Sequence, residues 1–208
     1  MIRLAAAVLA LAPAAPQADP VRVDEKAGTV SFGAVVLALE IRPELKGFIE
    51  YVVVNKGGKD YESLFKADVD AGAIHEGLRK IGVRPGAPPA DEKGAPSGGK
   101  LRIWVEWKAD EKARKEPVEA FILDTKAGKP MEPGAWIFTG SKEGFVPELE
   151  RSDLLVKANK NLVSLIQHDP TVLVMNPAPD PGGRRYQGNK DLLPRAGTPV
   201  TFVFEAAK

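Results

Sequence analysis

Cysteine is absent from the 208 residues, and histidine occurs only twice, as His75 and His168. Without cysteine the chain cannot form disulfide bonds, use a thiol nucleophile, or ligate zinc or an iron–sulfur cluster through sulfur. A domain of this length would therefore depend on its hydrophobic core for stability.

An excess of charge of either sign is also lacking. The chain has 29 basic and 28 acidic side chains, which gives a formal net charge of +1. Proteins that bind nucleic acids or anionic membrane surfaces usually carry a clear surplus of positive charge. We therefore expect no nucleic-acid partner.

Long hydrophobic runs are absent beyond the N-terminus. Residues 1–18 begin with Met1-Ile2-Arg3, continue in an apolar run to Leu11 and end in small residues, which is the pattern of a secretory signal peptide. That run is too short to span a bilayer, and no later run approaches the necessary length. The sequence predicts a signal peptide over 1–18, export to the periplasm or the extracellular medium, and a single domain over 19–208 without a transmembrane segment.

Short strands separated by glycine and proline dominate the rest of the chain. Many of its 20 glycines and 18 prolines fall between apolar, β-branched runs. Phe48–Asn55 and Tyr61–Ala67 are predicted to be strands, with Gly57-Gly58 as the turn of a hairpin between them. Leu101–Lys108 alternates apolar and polar side chains, which indicates a strand with one buried face.

One helix is predicted after these first strands. Asp70 is a typical N-cap, Gly82 stands where a helix C-cap belongs, and apolar side chains recur between them at helical spacing. The proline and glycine density of residues 84–100 indicates a flexible internal loop. These patterns predict an α+β fold, with a largely antiparallel sheet, one principal helix over about residues 71–81 and long loops.

Five segments carry a family resemblance. In order along the chain they read EYVVVNKGGKDYESLF, AGAIHEGLRKIGVRPG, LRIWVEWK, AWIFTGS and NLVSLIQHDPTVL. Together they resemble the YdjY-domain family of uncharacterised exported bacterial proteins, over about Ile41 to Phe204. The resemblance implies a bacterial, exported, single-domain protein and implies no particular activity.

The two histidines are the candidate catalytic residues and metal ligands. Imidazole binds zinc well, and Glu62 or Asp169 would supply a carboxylate. However, the spacing matches no recognised ligand motif such as HExxH, and His75 and Glu76 are adjacent, so on a helix their side chains point apart. We expect no bound metal or cofactor, and His75, His168, Glu62 and Asp169 are the candidate catalytic residues.

A serine hydrolase is a second arrangement that these residue types would allow. Ser63 or Ser141 would act as the nucleophile with a histidine and Asp169, and such triads are recognised by geometry rather than by sequence position. The GxSxG turn that exposes the serine of many hydrolases is absent, since the glycine spacing around Ser141 differs. A loop serine with a structural role is the simpler interpretation.

Aromatic and arginine side chains are the candidates for ligand binding. Strand alternation places Trp104 on the face opposite Trp107, beside Arg102. An exposed Trp104 could contact a sugar or a peptide, but packing in the core or against the sheet is the favoured interpretation. Arg184 and Arg185 lie in a late glycine-rich loop, where they could hold a carboxylate or a phosphate or simply be solvated.

Taken together, these features favour binding over catalysis. The sequence predicts an exported, non-enzymatic binding or envelope-associated module, with an envelope glycan or protein as its partner. The alternative is a metal-assisted or Ser/His-type hydrolase that uses His75, His168 and nearby carboxylates.

Overall fold

A computed structural model describes residues 20–39, 43–91, 94–167, 169–180 and 182–207. The predicted signal peptide and the candidate residue His168 lie outside the described residues.

Within these ranges the chain forms fifteen strands and two α-helices, joined by turns and short 3₁₀ segments. The strands are β1 (Arg22–Asp24), β2 (Thr29–Val36), β3 (Tyr51–Asn55), β4 (Ser63–Ala67), β5 (Gly99–Ala109), β6 (Lys112–Pro117), β7 (Ile122–Asp124), β8 (Lys129–Pro130), β9 (Trp136–Phe138), β10 (Glu143–Val146), β11 (Arg151–Leu154), β12 (Asn161–Ile166), β13 (Val174–Asp180), β14 (Tyr186–Gly188) and β15 (Pro199–Ala206). The helices are α1 (Ala71–Lys80) and α2 (Val156–Asn159).

Eight of these strands close into a barrel. Their order around it is β2, β15, β5, β9, β13, β12, β3 and β4, and β4 then pairs with β2 again. The closing seam is antiparallel and places Ala34 opposite Ala67 and Val36 opposite Phe65. The β12–β13 and β3–β4 seams are parallel, whereas the other six are antiparallel.

The predicted α+β class, a sheet with one principal helix, is wrong. The structure is mostly β and is built on the closed barrel, and its two helices are short. The prediction failed because strand patterns indicate which face of a strand is buried but not which strands pair at the two ends of a sheet.

Alternation along the strands directs apolar side chains into the barrel. In β5, Leu101, Ile103 and Val105 are buried, whereas Arg102 and Lys108 are exposed. β5 therefore contributes one apolar face to the interior.

Aromatic rings fill much of that interior. The Phe32 ring stacks on Phe202 at a centroid distance of 5.5 Å and meets the edge of Phe204 at 5.3 Å. Phe65 contacts Phe202 at 5.0 Å and Phe121 at 5.8 Å, both edge to face. The barrel therefore encloses a packed core, as small barrels do.

The connection between β3 and β4 also differs from the prediction. The two strands are parallel, with Tyr51 opposite Ser63 and Val53 opposite Phe65, so the glycines between them do not form a hairpin turn. Seven residues, 56–62, instead run back alongside the strands. Gly58 is required there because a Cβ atom would lie 2.8 Å from the Lys160 carbonyl oxygen.

A helix does follow Asp70, as α1. The Asp70 carboxylate accepts a hydrogen bond from the Gly72 amide at 2.8 Å and so caps the first turn. Ile74 and Leu78 are fully buried against the core, and α1 packs on β1, β2 and α2. No helix in the described part of the chain is both long and apolar enough to cross a membrane.

Replacing Phe65 by alanine should test the aromatic core. Phe65 is fully buried and contacts two other rings, so we expect the Phe65→Ala variant to lose about 3–5 kcal/mol of unfolding free energy. Urea denaturation followed by circular dichroism would measure the loss. Phe145 is 63% exposed, so Phe145→Ala is the matched control and should change stability by less than about 0.5 kcal/mol. Equal losses in the two variants would contradict this packing.

Candidate functional site

Aromatic side chains pack the barrel interior. Two groups that contain polar side chains are candidates for a functional site. The first surrounds Trp104 on β5 and is called the Trp104 cleft. The second, called the Lys59 cluster, consists of Glu50, Tyr51, Lys59, Glu62, Asn161 and Asp169.

Trp104 lies on the outer face of β5, as its alternation with Ile103 and Val105 requires. Its indole Nε1 donates a hydrogen bond to Glu205 Oε2 at 2.7 Å. The Lys115 ammonium lies 5.2 Å from the ring centroid and makes a cation–π contact. The ring is therefore held in place from both neighbouring strands, β15 and β6, while remaining only half-buried.

An open cleft of about 740 Å³ lies against this tryptophan. Its size falls within the range of small-molecule sites. The lining combines basic, acidic, aromatic and small residues, namely Lys100, Arg102, Ile103, Trp104, Pro117, Glu119, Pro133, Gly134, Ala135 and Ala207.

Glu119 is a member of this cleft that the sequence interpretation missed. It is only 2% exposed, and its Oε1 accepts hydrogen bonds from the Gly134 amide at 3.0 Å and from Trp136 Nε1 at 2.9 Å. The carboxylate thereby fixes the 133–135 segment that borders the cleft. The signal that could have revealed it is a single acidic residue within the apolar run VEAFIL, because a buried carboxylate needs hydrogen-bond partners.

The structure places Arg185 away from the cleft lining. Its guanidinium donates to Asp124 Oδ2 through Nη2 at 2.6 Å and Nε at 3.1 Å, and it lies 5.1 Å from the Tyr186 ring centroid. The hydrogen bond from Arg185, aided by backbone amides, holds the pKa of Asp124 below its usual range. This arginine is therefore committed to an ion pair that links the start of β14 to β7.

Arg184 has an exposed side chain, and its backbone amide donates to Asp180 Oδ2 at 2.9 Å. It does not line the Trp104 cleft either. Of the three predicted binding residues, only Trp104 lies in that cleft.

The Lys59 cluster begins with one ammonium between two carboxylates. Lys59 Nζ lies 3.2 Å from Glu50 Oε2 and 2.8 Å from Glu62 Oε1. Glu62 Oε1 is buried, and the Lys59 ammonium supplies its compensating charge. The Lys59 ammonium also lies 5.3 Å from the Tyr51 ring centroid.

Asn161 and Tyr51 connect this ion pair to Asp169. Asn161 Oδ1 accepts from the Lys59 amide at 3.2 Å, and its Nδ2 donates to Asp169 Oδ2 at 3.2 Å. The Tyr51 hydroxyl donates to the same carboxylate oxygen at 2.9 Å. Two of the predicted catalytic carboxylates, Glu62 and Asp169, therefore belong to one network.

Burial controls the proton affinities in this network. It raises the pKa of Glu62, while the nearby Lys59 ammonium opposes the shift and the Glu50 carboxylate adds to it. Burial and the Asp169 carboxylate raise the pKa of the Tyr51 hydroxyl. Tyr51 consequently stays protonated at neutral pH and remains a hydrogen-bond donor.

His75 lies elsewhere, on α1. Its Nδ1 is 3.3 Å from Glu76 Oε1, its ring centroid is 5.3 Å from that of Phe138, and burial lowers its pKa. Within the described ranges, no hydrogen bond or ion pair joins His75 to Glu62 or Asp169. The same ranges contain no group of three or more histidine, aspartate or glutamate side chains that could hold a metal ion.

The two candidate serines are bonded to the backbone. Ser63 Oγ donates to the Lys59 carbonyl oxygen at 2.6 Å. Ser141 Oγ donates to the Lys142 carbonyl oxygen at 3.2 Å and accepts from the Val156 amide at 3.1 Å. In the described part of the chain neither serine contacts a histidine; Ser63 begins β4, and Ser141 lies in the segment before β10.

Comparison with known proteins gives one match. The family model for the YdjY domain matches residues 21–205, nearly the whole chain. Neither the curated proteins nor the solved structures contain a match.

Replacing Lys59 by methionine should test the ion pair. Without the cation, the buried Glu62 carboxylate has no compensating charge at neutral pH. We therefore expect Lys59→Met to lose roughly 1–2 kcal/mol of unfolding free energy. This is less than for a fully buried pair, because Lys59 is half-exposed. Glu62 has a folded-state pKa above its unfolded value, so its contribution favours folding at low pH and declines as the pH rises through the folded-state pKa.

The loss in Lys59→Met should therefore be larger at about pH 7.5 than at about pH 4.5, as measured from urea denaturation midpoints. Adding Glu62→Gln to Lys59→Met should recover most of the lost unfolding free energy at the higher pH. Equal losses of unfolding free energy at both pH values would contradict the view that Lys59 stabilises the fold by pairing with ionised Glu62.

Proposed function

The chain belongs to the YdjY-domain family, and we propose that it is an exported, non-enzymatic binding module whose ligand site is the Trp104 cleft. The observation that carries this proposal is an immobilised tryptophan in a cleft of about 740 Å³ on the outside of a filled barrel. An indole held by a hydrogen bond and a cation–π contact loses little conformational entropy when a ligand binds.

The polar groups of the cleft favour a glycan as the ligand. Lys100 and Arg102 supply hydrogen-bond donors, and the buried Glu119 carboxylate holds the 133–135 segment that borders them. A saccharide has hydroxyl groups that both donate and accept, together with apolar C–H faces that pack on aromatic rings. The mixed charge of the lining suits such a neutral ligand better than a strongly anionic or cationic one.

A hydrolase is the second candidate, and the observation in its favour is that Glu62 and Asp169 share the Lys59 cluster. Its groups are nevertheless engaged with one another, since Lys59 pairs with Glu62 and Tyr51 bonds to Asp169. An assay of ester, peptide and glycoside hydrolysis by the intact protein and by Glu62→Gln would support this candidate only if the variant lost a measurable activity.

Replacing Trp104 by alanine should abolish most glycan binding. We would titrate the protein calorimetrically with oligosaccharides of N-acetylglucosamine and of glucose. For any that bind, Trp104→Ala should raise the dissociation constant by about tenfold or more, since a buried aromatic contact contributes on the order of 1–2 kcal/mol. Arg102→Gln should give a smaller increase.

Phe145→Ala is the control, because Phe145 is an exposed aromatic residue outside the cleft. Glycan binding that is unchanged in Trp104→Ala would place the site elsewhere. If no tested oligosaccharide bound but a peptide bound in a manner that depends on Trp104, the ligand of the cleft would be a protein and not a glycan.

A further inference from the structure

Barrel closure leaves the main sheet with very little open edge. In the described residues, all eight barrel strands pair on both sides, and β1 and β6 are the strands of the main sheet that pair on one side only. β1 has three residues, whereas β6 has six, of which Lys112 to Glu116 are exposed. An unpaired edge of this length presents backbone donors and acceptors to any strand that fits.

The turn before β6 fixes which backbone groups face outward. β5 and β6 are joined by the two residues Asp110 and Glu111, both with positive φ, so Ala109 and Lys112 form the first pair of the ladder. In such a hairpin the pair beside the turn is hydrogen-bonded, and hydrogen-bonded and non-hydrogen-bonded pairs then alternate. The amides and carbonyls of Ala113 and Lys115 therefore point away from β5.

The side chains on this edge determine the charge of a suitable partner. Lys112 and Arg114 lie on one face of β6 and form no ion pair with any described residue; Glu116 ends the same row. Lys115 lies on the other face, 3.0 Å from Glu106. Positive charge thus predominates along the edge, so a second copy of the same edge would be repelled and an acidic strand would be attracted.

A cleft lies on one face of the adjacent strands β6, β5 and β15 and begins at β6. It measures about 610 Å³ and is lined by Trp107, Arg114, Pro199 and Val200 among others. Arg114 is the direct cross-strand neighbour of Trp107, so a cation and an indole share one face of the hairpin. Backbone pairing with pockets for alternate side chains is the usual basis of strand addition.

We propose that the open edge of β6 binds an extended acidic segment of a partner protein, which adds to the sheet as a further strand. Ladder hydrogen bonds to Ala113 and Lys115 supply the backbone pairing. Carboxylates of the added segment lie opposite Lys112 and Arg114 and supply the selectivity. This site is separate from the Trp104 cleft and does not depend on glycan binding.

The test uses a fluorescein-labelled synthetic peptide that alternates glutamate and threonine, added to the full chain and followed by fluorescence anisotropy. Lys112→Glu with Arg114→Glu should weaken binding by about tenfold or more. Lys26→Glu with Lys80→Glu is the matched control, since it makes the same charge change at exposed positions on other elements, and it should leave binding nearly unchanged.

Two modified peptides separate strand addition from simple charge attraction. A peptide with glutamine in place of glutamate should bind more weakly, and one with N-methylated amides on its pairing edge should lose binding. In the complex with the unmodified peptide, hydrogen exchange at the Ala113 and Lys115 amides should slow. Circular dichroism of each variant would establish that it is folded.

Several results would overturn the proposal. Undiminished binding of the N-methylated peptide would show charge attraction without strand addition. Equal losses in the two charge-reversed variants would show a non-specific effect. If the unmodified peptide did not bind, or did not slow exchange at the Ala113 and Lys115 amides, an acidic segment would be excluded as the occupant. If the protein formed concentration-dependent dimers that the Lys112→Glu, Arg114→Glu variant did not form, the occupant would be a second copy of the chain.

Discussion

The pairing of β4 with β2 is the constraint on which the structure depends. Three residue pairs, from Ala34–Ala67 to Val36–Phe65, join the ends of an eight-stranded sheet. Closure turns every strand's apolar face toward one interior and brings Phe65 against Phe202 and Phe121. If this seam were open, β2 and β4 would be long exposed edges and the aromatic cluster would be accessible to water.

Because the interior is filled, function must be sought on the outer surface of the barrel. Trp104 projects there because it alternates with the buried residues of β5, and contacts with Glu205 and Lys115 immobilise it. Most members of the Lys59 cluster are buried, and its Tyr51 joins a small apolar cluster with Val54 and Ile166. The same closure explains why the edge of β6 is unusual, since it is the one long edge of the main sheet that remains unpaired in the described residues.

Local patterns in the sequence predicted faces and caps better than they predicted pairing. Strand alternation placed Trp104 on the face opposite Trp107 without deciding which of the two is exposed, and the helix start after Asp70 followed from capping chemistry. The Gly57-Gly58 turn was wrongly taken as a hairpin because glycine reports only local backbone freedom, whereas the parallel register of β3 and β4 is set by contacts across the barrel. Glu119 joins the Trp104 cleft through Gly134 and Trp136, fifteen and seventeen positions away, and no local spacing encodes that contact.

Amide hydrogen exchange across the β2–β4 seam tests the central claim most directly, namely that the barrel is closed and its binding surfaces lie outside. Exchange of the seam amides, measured by NMR, should require global unfolding, with protection equal to that of the β2–β15 amides. Rapid exchange of the seam amides in a protein whose β2–β15 amides remain protected would contradict closure. An open sheet would also expose the aromatic interior as a binding surface.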